Sequence, residues 1–369
     1  MERPRRRLTG RSLIAACLLC AAALLLACGG GDSAPEATPS TTALVTPTST
    51  PLPPAPIVTP VESSTPAPTD AASIKPPEPV CPDPYPGGAP FEPDPGEPLQ
   101  IRWKGPSPAL LPYQPLPFTK DQQLDQIVRR TIGQQELPHV AVVVKNLADG
   151  HGVMIAPDRE FYSASLFKTW VLLEVFHQRD AGTLDFTERY IVSDYYVQRG
   201  INPGEIAACS QVTVGQAVQS MIRISDNTAA NLLLDRVGPG NVEVALQSLG
   251  LTVTQFAGGG SLPTNAREMA LLLEAIGRRK AVSTAASNQM IGLLATESFA
   301  DRILAGVPPG TKVAHKTGNW SNATHDVGIV FSPAATYAIA VLTDYGFDDD
   351  GATPIARISR AVYDYYNRP

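Results

Sequence analysis

The sequence predicts an α+β domain: a five-stranded antiparallel sheet, terminal helices on one of its faces, and an all-helical lobe inserted between strands two and three. Three observations carry that expectation. A helical repeat stands before two short β-branched runs. Helical patterns alone then fill Ser165 to about Ala295, and strand patterns return only after Thr311, to be closed by one last helix.

Leu124, Ile127, Val128 and Ile132 recur at helical spacing, so Thr119–Gln135 reads as an amphipathic helix. His139–Asn146 is apolar and β-branched. Asp149-Gly150 is a turn signal, and Gly152–Ala156 returns as the second strand of a hairpin. Thr311–Asn319, Asp326–Phe331 and Tyr337–Thr343 read as strands three to five, and about Pro354–Tyr366 as the closing helix.

The 369 residues divide by composition. Twenty-five of the 36 prolines lie between Ser33 and Pro117, in a stretch rich in Thr, Ser and Ala. Such a composition buries too little apolar surface to fold, so 28–118 reads as a disordered, semi-rigid spacer. Residues 119–369 remain as one well-buried domain. A net charge of −6, with no Lys/Arg stripe, argues against a nucleic-acid partner.

The first 27 residues read as an export signal. Arg3, Arg5, Arg6, Arg7 and Arg11 precede an apolar run from Ser12 to Ala27 that is short for a membrane span. The run ends Leu25-Leu26-Ala27-Cys28 and switches at once to Gly-Gly-Gly-Asp. This resembles a bacterial lipobox, which implies a lipidated Cys28, a membrane anchor and a domain on the extracytoplasmic side. An ordinary signal peptide with an incidental cysteine is the alternative, and the paired arginines also suggest twin-arginine export. Of the remaining cysteines, Cys17 and Cys20 leave with the signal. Cys81 and Cys209 either pair in an oxidising compartment or stay free.

Three short motifs, each occurring once, carry the chemistry. Ser165-Leu166-Phe167-Lys168 opens a helix, Ser225-Asp226-Asn227 follows in the helical lobe, and Lys316-Thr317-Gly318 lies on the third strand. A serine hydroxyl is a poor nucleophile until a neighbouring base takes its proton. Three residues along a helix, Lys168 shares a face with Ser165. Burial and a second cation, Lys316, would lower its pKa enough for that role. The N–H groups of Ser165 and Asn319 are the candidate oxyanion donors, and Gly318 would let substrate approach the strand closely. No spacing suits a metal, and there is no G-x-S-x-G elbow, so no cofactor is expected. His139, His151 and His177 read as structural, and Trp320 and Tyr195 as cleft walls or as plain packing aromatics.

These motifs resemble those of the class A β-lactamases and penicillin-binding proteins. So do Phe161-Tyr162-Ser163-Ala164, Val212-Thr213-Val214-Gly215, Asn227-Thr228-Ala229-Ala230-Asn231 and His325-Asp326-Val327-Gly328, over Thr119 to Pro369. The resemblance implies that Ser165 is acylated and Lys168 is the acylation base. It further implies that Ser225 passes a proton to the leaving nitrogen, and that Asn227 orients Lys168 and the substrate amide. Lys316 and Thr317 would bind the substrate carboxylate.

Two departures stand out. Class A enzymes place a deacylating glutamate on the loop between the second and third motifs, yet nothing between Leu251 and Asn265 is acidic, so the loop reads as shortened and without its glutamate. Glu268 sits on the helix beyond. The family's extra cation on the fourth strand is here His325, charged only part of the time. The expectation is therefore a monomeric exported hydrolase that opens a β-lactam or a D-alanyl amide through a Ser165 acyl-enzyme, with slow deacylation. A D,D-peptidase acting on peptidoglycan stem peptides and a non-catalytic wall-peptide or β-lactam binder are the alternatives. Every catalytic candidate lies at or beyond Ser165, so residues 1–117 are expected to be dispensable for the chemistry.

Overall fold

The computed structural model describes residues 105–199, 204–257, 260–347 and 349–368. The signal segment, Cys28 and Cys81 lie outside the described residues. Among the described residues no helix is long and apolar enough to cross a membrane.

The first part of the domain runs β1 (Thr119–Lys120), α1 (Gln122–Ile132), β2 (Val140–Asn146), β3 (His151–Ile155) and β4 (Glu160–Tyr162). The inserted part runs α2 (Phe167–Asp180), β5 (Arg189–Ile191), α3 (Asp194–Gln198), β6 (Gln211–Thr213), α4 (Val214–Arg223), α5 (Asn227–Val237), α6 (Pro239–Ser248), β7 (Pro263–Asn265), α7 (Ala266–Gly277) and α8 (Thr284–Leu294). The chain closes with β8 (Lys312–Trp320), β9 (Ala323–Phe331), β10 (Thr336–Thr343) and α9 (Ala352–Tyr366).

The five expected strands form one antiparallel array, β3-β2-β10-β9-β8, but the sheet has six strands. The sixth is β1, which pairs parallel with β3 through Thr119↔His151 and Lys120↔Gly152. The first helix is accordingly shorter than its periodicity suggested. Asp121 caps it by accepting from Gln123 N and Leu124 N, and Gly133, at φ +80°, ends it. The inserted lobe is not purely helical either: β4 pairs with β7 and β5 with β6.

Alternation along the strands sends side chains to two cores. Val140, Val142 and Val144 join Val153, Ile339 and Val341 against Leu124, Val128 and Ile132 of α1 and Ile355, Ile358 and Val362 of α9. Burying side chains of this kind stabilises by about 1.5–3 kcal/mol each. Ala141, Val143, Ala314, Ala338 and Ala340 face the other way, against the lobe. Small residues on that face let α7 approach the middle of the sheet.

The boundary expected at residue 118 moves upstream. Gly105–Phe118 has no helix or strand, yet it is bonded to the domain. Ser107 N donates to Asn241 Oδ1 at 3.0 Å, and Ser107 Oγ bonds Glu174. Tyr113 N donates to the Ser248 carbonyl at 2.9 Å. Glu274 gathers Tyr113 Oη at 3.0 Å, Leu116 N at 2.6 Å and Lys145 Nζ at 2.5 Å. Because Glu274 is buried, these donors offset the cost of removing its charge from water. Cys209 is disulfide-bonded; the other cysteines lie outside the described residues.

Candidate active site

Ser165 sits in a single 3-10 turn, Ala164–Leu166, that runs straight into α2. The turn is set by Ala164, whose φ of +48° is rare for a residue with a side chain. The second motif reaches the same place from the other side. Ser225 has φ +59° and closes α4, and Asp226 caps α5 by accepting Ala229 N at 2.9 Å. Two left-handed residues thus aim two serines at one lysine.

That lysine is Lys168, fully buried on the first turn of α2. Its Nζ lies 3.1 Å from Ser165 Oγ, 2.9 Å from Ser225 Oγ and 2.7 Å from Asn227 Oδ1, with the Ser225 carbonyl also in contact. Burial, and then the charge of Lys316, hold its pKa well below the ordinary lysine value against the opposing pull of Asp226 and Glu297. A neutral amine has two N–H donors and one lone pair. The Ser225 carbonyl and Asn227 Oδ1 can only accept, so they take both donors. The lone pair is left for a hydroxyl. Proton transfer out of Ser165 Oγ–H is what such an arrangement can do.

The third motif stands on β8, the last strand of the sheet. Thr317 N donates to Glu297 rather than to β9, so it lies on the open edge. Asn319 N, two residues on, faces the same edge by alternation, as an oxyanion donor must. Gly318 is also closely packed from within the fold. A Cβ there would sit 3.0 Å from the Ser163 carbonyl, 3.3 Å from Leu166 Cγ and 3.4 Å from Ala164 Cβ. The glycine therefore also lets β8 pack against the nucleophile's turn.

His325 is not a carboxylate grip. It is fully buried; its Nε2 donates to the Tyr162 carbonyl at 2.9 Å and its Nδ1 accepts Thr343 N at 3.1 Å. Burial pushes its pKa down to about 4, so it is neutral. The buried cation beside Gly318 and Asn319 is Arg302. It donates to the Gly318 carbonyl at 3.2 Å, the His325 carbonyl at 2.7 Å and Asn319 Oδ1 at 2.6 Å. Lys316 and Thr317 are likewise engaged, both by Glu297, with Lys316 Nζ at 2.7 Å from its Oε1. Sequence reasoning missed Arg302 and Glu297. Both lie in the irregular stretch between α8 and β8, where no periodicity marks a residue.

Glu268 holds the shortened loop. Its carboxylate accepts Thr252 N at 2.8 Å, Val253 N at 3.0 Å and Thr254 N at 2.7 Å. Burial alone would raise its pKa, but these amides outweigh burial and lower it. From the same loop Phe256 packs edge-on against Phe167 and Trp170, at 6.2 and 5.5 Å. An aromatic ring thus closes over the start of α2, where the loop carries no acid. Trp320 packs between Tyr162, tilted against it at 5.7 Å, and Phe347, edge-on at 6.4 Å, beside the end of β8. Tyr195 packs on Tyr196, and Arg199 bonds its hydroxyl.

Residues 122–366, the lobe and sheet together, match the Beta-lactamase enzyme family. The chain belongs to that family. A β-lactamase of Mycobacterium tuberculosis is 32% identical over 207 residues, covering 51% of this chain and 66% of that protein, just under two thirds of its length. The solved structure of PBP-A superposes with a TM-score of 0.64 at 25% identity, covering 69% of this chain and 100% of that one. A PBP-A mutant, solved as an acyl-enzyme complex with penicillin G, superposes at 0.63 with the same identity and coverage. The β-lactamase-like α+β fold expected from the sequence is the fold of these structures.

Proposed function

We propose that the domain is a serine hydrolase that opens β-lactams through an acyl-enzyme on Ser165. The observation that carries this reading is the setting of Lys168, whose two N–H donors are taken by the Ser225 carbonyl and Asn227. Ser165 Oγ attacks the lactam carbonyl while its proton passes to the Lys168 lone pair. Negative charge gathers on the carbonyl oxygen between Ser165 N–H and Asn319 N–H. As the C–N bond breaks, Ser225 Oγ–H protonates the nitrogen and is itself reprotonated from Lys168. The structure of a PBP-A mutant as a penicillin G acyl-enzyme supports the same chemistry here.

Deacylation on this reading is slow. The carboxylates that act on Lys168 are Asp226 and Glu297, one committed to a helix cap and the other to Lys316 and Thr317. Neither is free to activate water, and a general base contributes about 10²–10⁴ in rate. The N-terminal sequence adds export and a lipid anchor at Cys28, which metabolic labelling with a palmitate analogue tests against Cys28→Ala.

The deciding experiment mixes the protein with a chromogenic β-lactam and follows turnover and intact mass together. The expected result is a burst of one equivalent, slow turnover and a mass gain equal to the whole drug, all abolished by Ser165→Ala. Fast turnover with no trapped adduct would refute the slow step. The similarity to PBP-A and the acid-free loop also favour a D,D-peptidase as the second reading; release of D-alanine from a stem peptide would establish it.

A further inference from the structure

Lys316 and Thr317 carry a contact that the acylation chemistry does not require. Glu297 follows the turn that ends α8, and its side chain is fully buried. Its Oε1 lies 2.7 Å from Lys316 Nζ and accepts the Thr317 hydroxyl at 2.6 Å. Thr317 N reaches its two oxygens at 3.1 and 3.0 Å. Lys316 Nζ also donates to the Thr317 carbonyl, at 3.1 Å. The segment is pinned by Ser298, which donates through N and Oγ to the Arg223 carbonyl at 2.8 and 2.9 Å.

An ammonium, a hydroxyl and an edge amide are the donors this strand offers to an anion. A threonine hydroxyl has a single proton to give, and here it is given to Glu297. A substrate carboxylate arriving at Thr317 would meet oxygen lone pairs and a like charge. Arg302 does not make up the loss, since both its terminal nitrogens bond Gly318, His325 and Asn319 and its Nε is buried, 3.6 Å from Asp301.

We propose that Glu297 is a specificity-determining residue: a resident carboxylate that fills the anion subsite of β8 and so removes the advantage of a substrate bearing a free carboxylate over its neutral ester. The inference rests on the acyl-enzyme reading of Ser165. It also accounts for the fully buried Lys316, which Glu297 neutralises. With Glu297 uncharged, Lys316 and Thr317 become available to a substrate carboxylate. One charge-assisted hydrogen bond is worth about ten- to a hundredfold in binding.

Glu297 also bears on Lys168, where it opposes the charge of Lys316. Removing it changes the base for every substrate alike, so the informative quantity is a ratio. The test measures the second-order rate of Ser165 acylation by benzylpenicillin and by its methyl ester, using intact mass on the full chain. The proteins are the wild type, Glu297→Gln and Glu297→Ala. The expected wild-type rates for acid and ester agree within about threefold, and the acid-to-ester ratio rises about tenfold or more in the variants. Acid and ester rates that move together in the variants would overturn the proposal. A wild type that already prefers the acid by about tenfold would overturn it too, whether or not either variant folds. No adduct with either compound would overturn the acyl-enzyme reading and this inference with it.

Discussion

Asn227 Oδ1 lies 2.7 Å from Lys168 Nζ, nearer than the 3.1 Å of Ser165 Oγ. The lysine is thus held by an acceptor it cannot deprotonate, and its lone pair turns to the hydroxyls. Acylation should rise with pH through the lowered pKa of Lys168 and then level. Asn227→Asp places a negative charge at that contact and favours the ammonium. Lys316→Ala removes a like charge and acts in the same direction. Both variants should move the rising limb to higher pH, and each unit of movement slows acylation about tenfold below the limb. A pH profile of adduct formation measures this; a limb that stays in place in both variants would exclude Lys168 as the base.

Gly318→Ala tests why the third motif ends in glycine. The new methyl meets the Ser163 carbonyl at 3.0 Å and must push β8 away from the nucleophile's turn. Displacing the edge amide of Asn319 from Ser165 should slow acylation about tenfold to a hundredfold. The loss should appear equally with small and bulky β-lactams, whereas a glycine kept for substrate access would penalise the bulky ones alone.

A chain beginning at Thr119 should be less stable than one beginning at Gly105. The shorter chain loses the donors Tyr113 Oη and Leu116 N from the buried Glu274, and Ser107 from Glu174. Hydrogen bonds to charged groups contribute about 1.5–3 kcal/mol each, and water replaces part of the loss, so a deficit of roughly 2–4 kcal/mol is expected. Urea unfolding of the two chains measures it; coincident midpoints would show that the docked segment adds nothing.

His325 should make the protein acid-sensitive. Protonated, its Nδ1–H would face the Thr343 N–H, donor against donor. The folded form resists that proton down to about pH 4, against the ordinary 6.5 that the unfolded chain keeps. The unfolded state therefore binds more protons in this window, and stability falls as pH drops from about 6.5 towards about 4, by roughly 3 kcal/mol across it. His325→Asn should flatten that part of the stability curve in denaturant titrations. Parallel curves for wild type and variant would assign the slope to other groups.

The three motifs and the five strands were legible because each rests on short-range pattern: an unbroken apolar run rich in β-branched residues in Val140–Val144, a three-residue step from Ser165 to Lys168, a capped turn at Asp226. What escaped depends on contacts distant in sequence. Ser107 reads as linker because its neighbours are prolines, and its bond to Asn241 spans 134 residues. Glu297 and Arg302 sit in a stretch with no period. The parallel pairing of Thr119 and Lys120 is too short for any pattern to show. The position of His325 was expected correctly on the fourth strand, but the side it faces is set by Tyr162 and Thr343, which no local signal reveals.

Ala164 and Ser225, both at positive φ, have a consequence for how such a protein changes over generations. Each holds a backbone conformation that costs of order 1–3 kcal/mol for a residue with a side chain. A glycine at 164 would relax the chain and let Ser165 drift from Lys168, and one at 225 would relax it while removing the Ser225 hydroxyl itself. Substitutions that make the fold more comfortable there are open to mutation at every generation, and they erode reactivity while leaving a soluble, well-folded protein. Descendants that lost their chemistry should carry glycine or asparagine at 164 or 225 while still keeping Lys168, so the first trace of a lost activity in this lineage would be found in the residues that bend the chain.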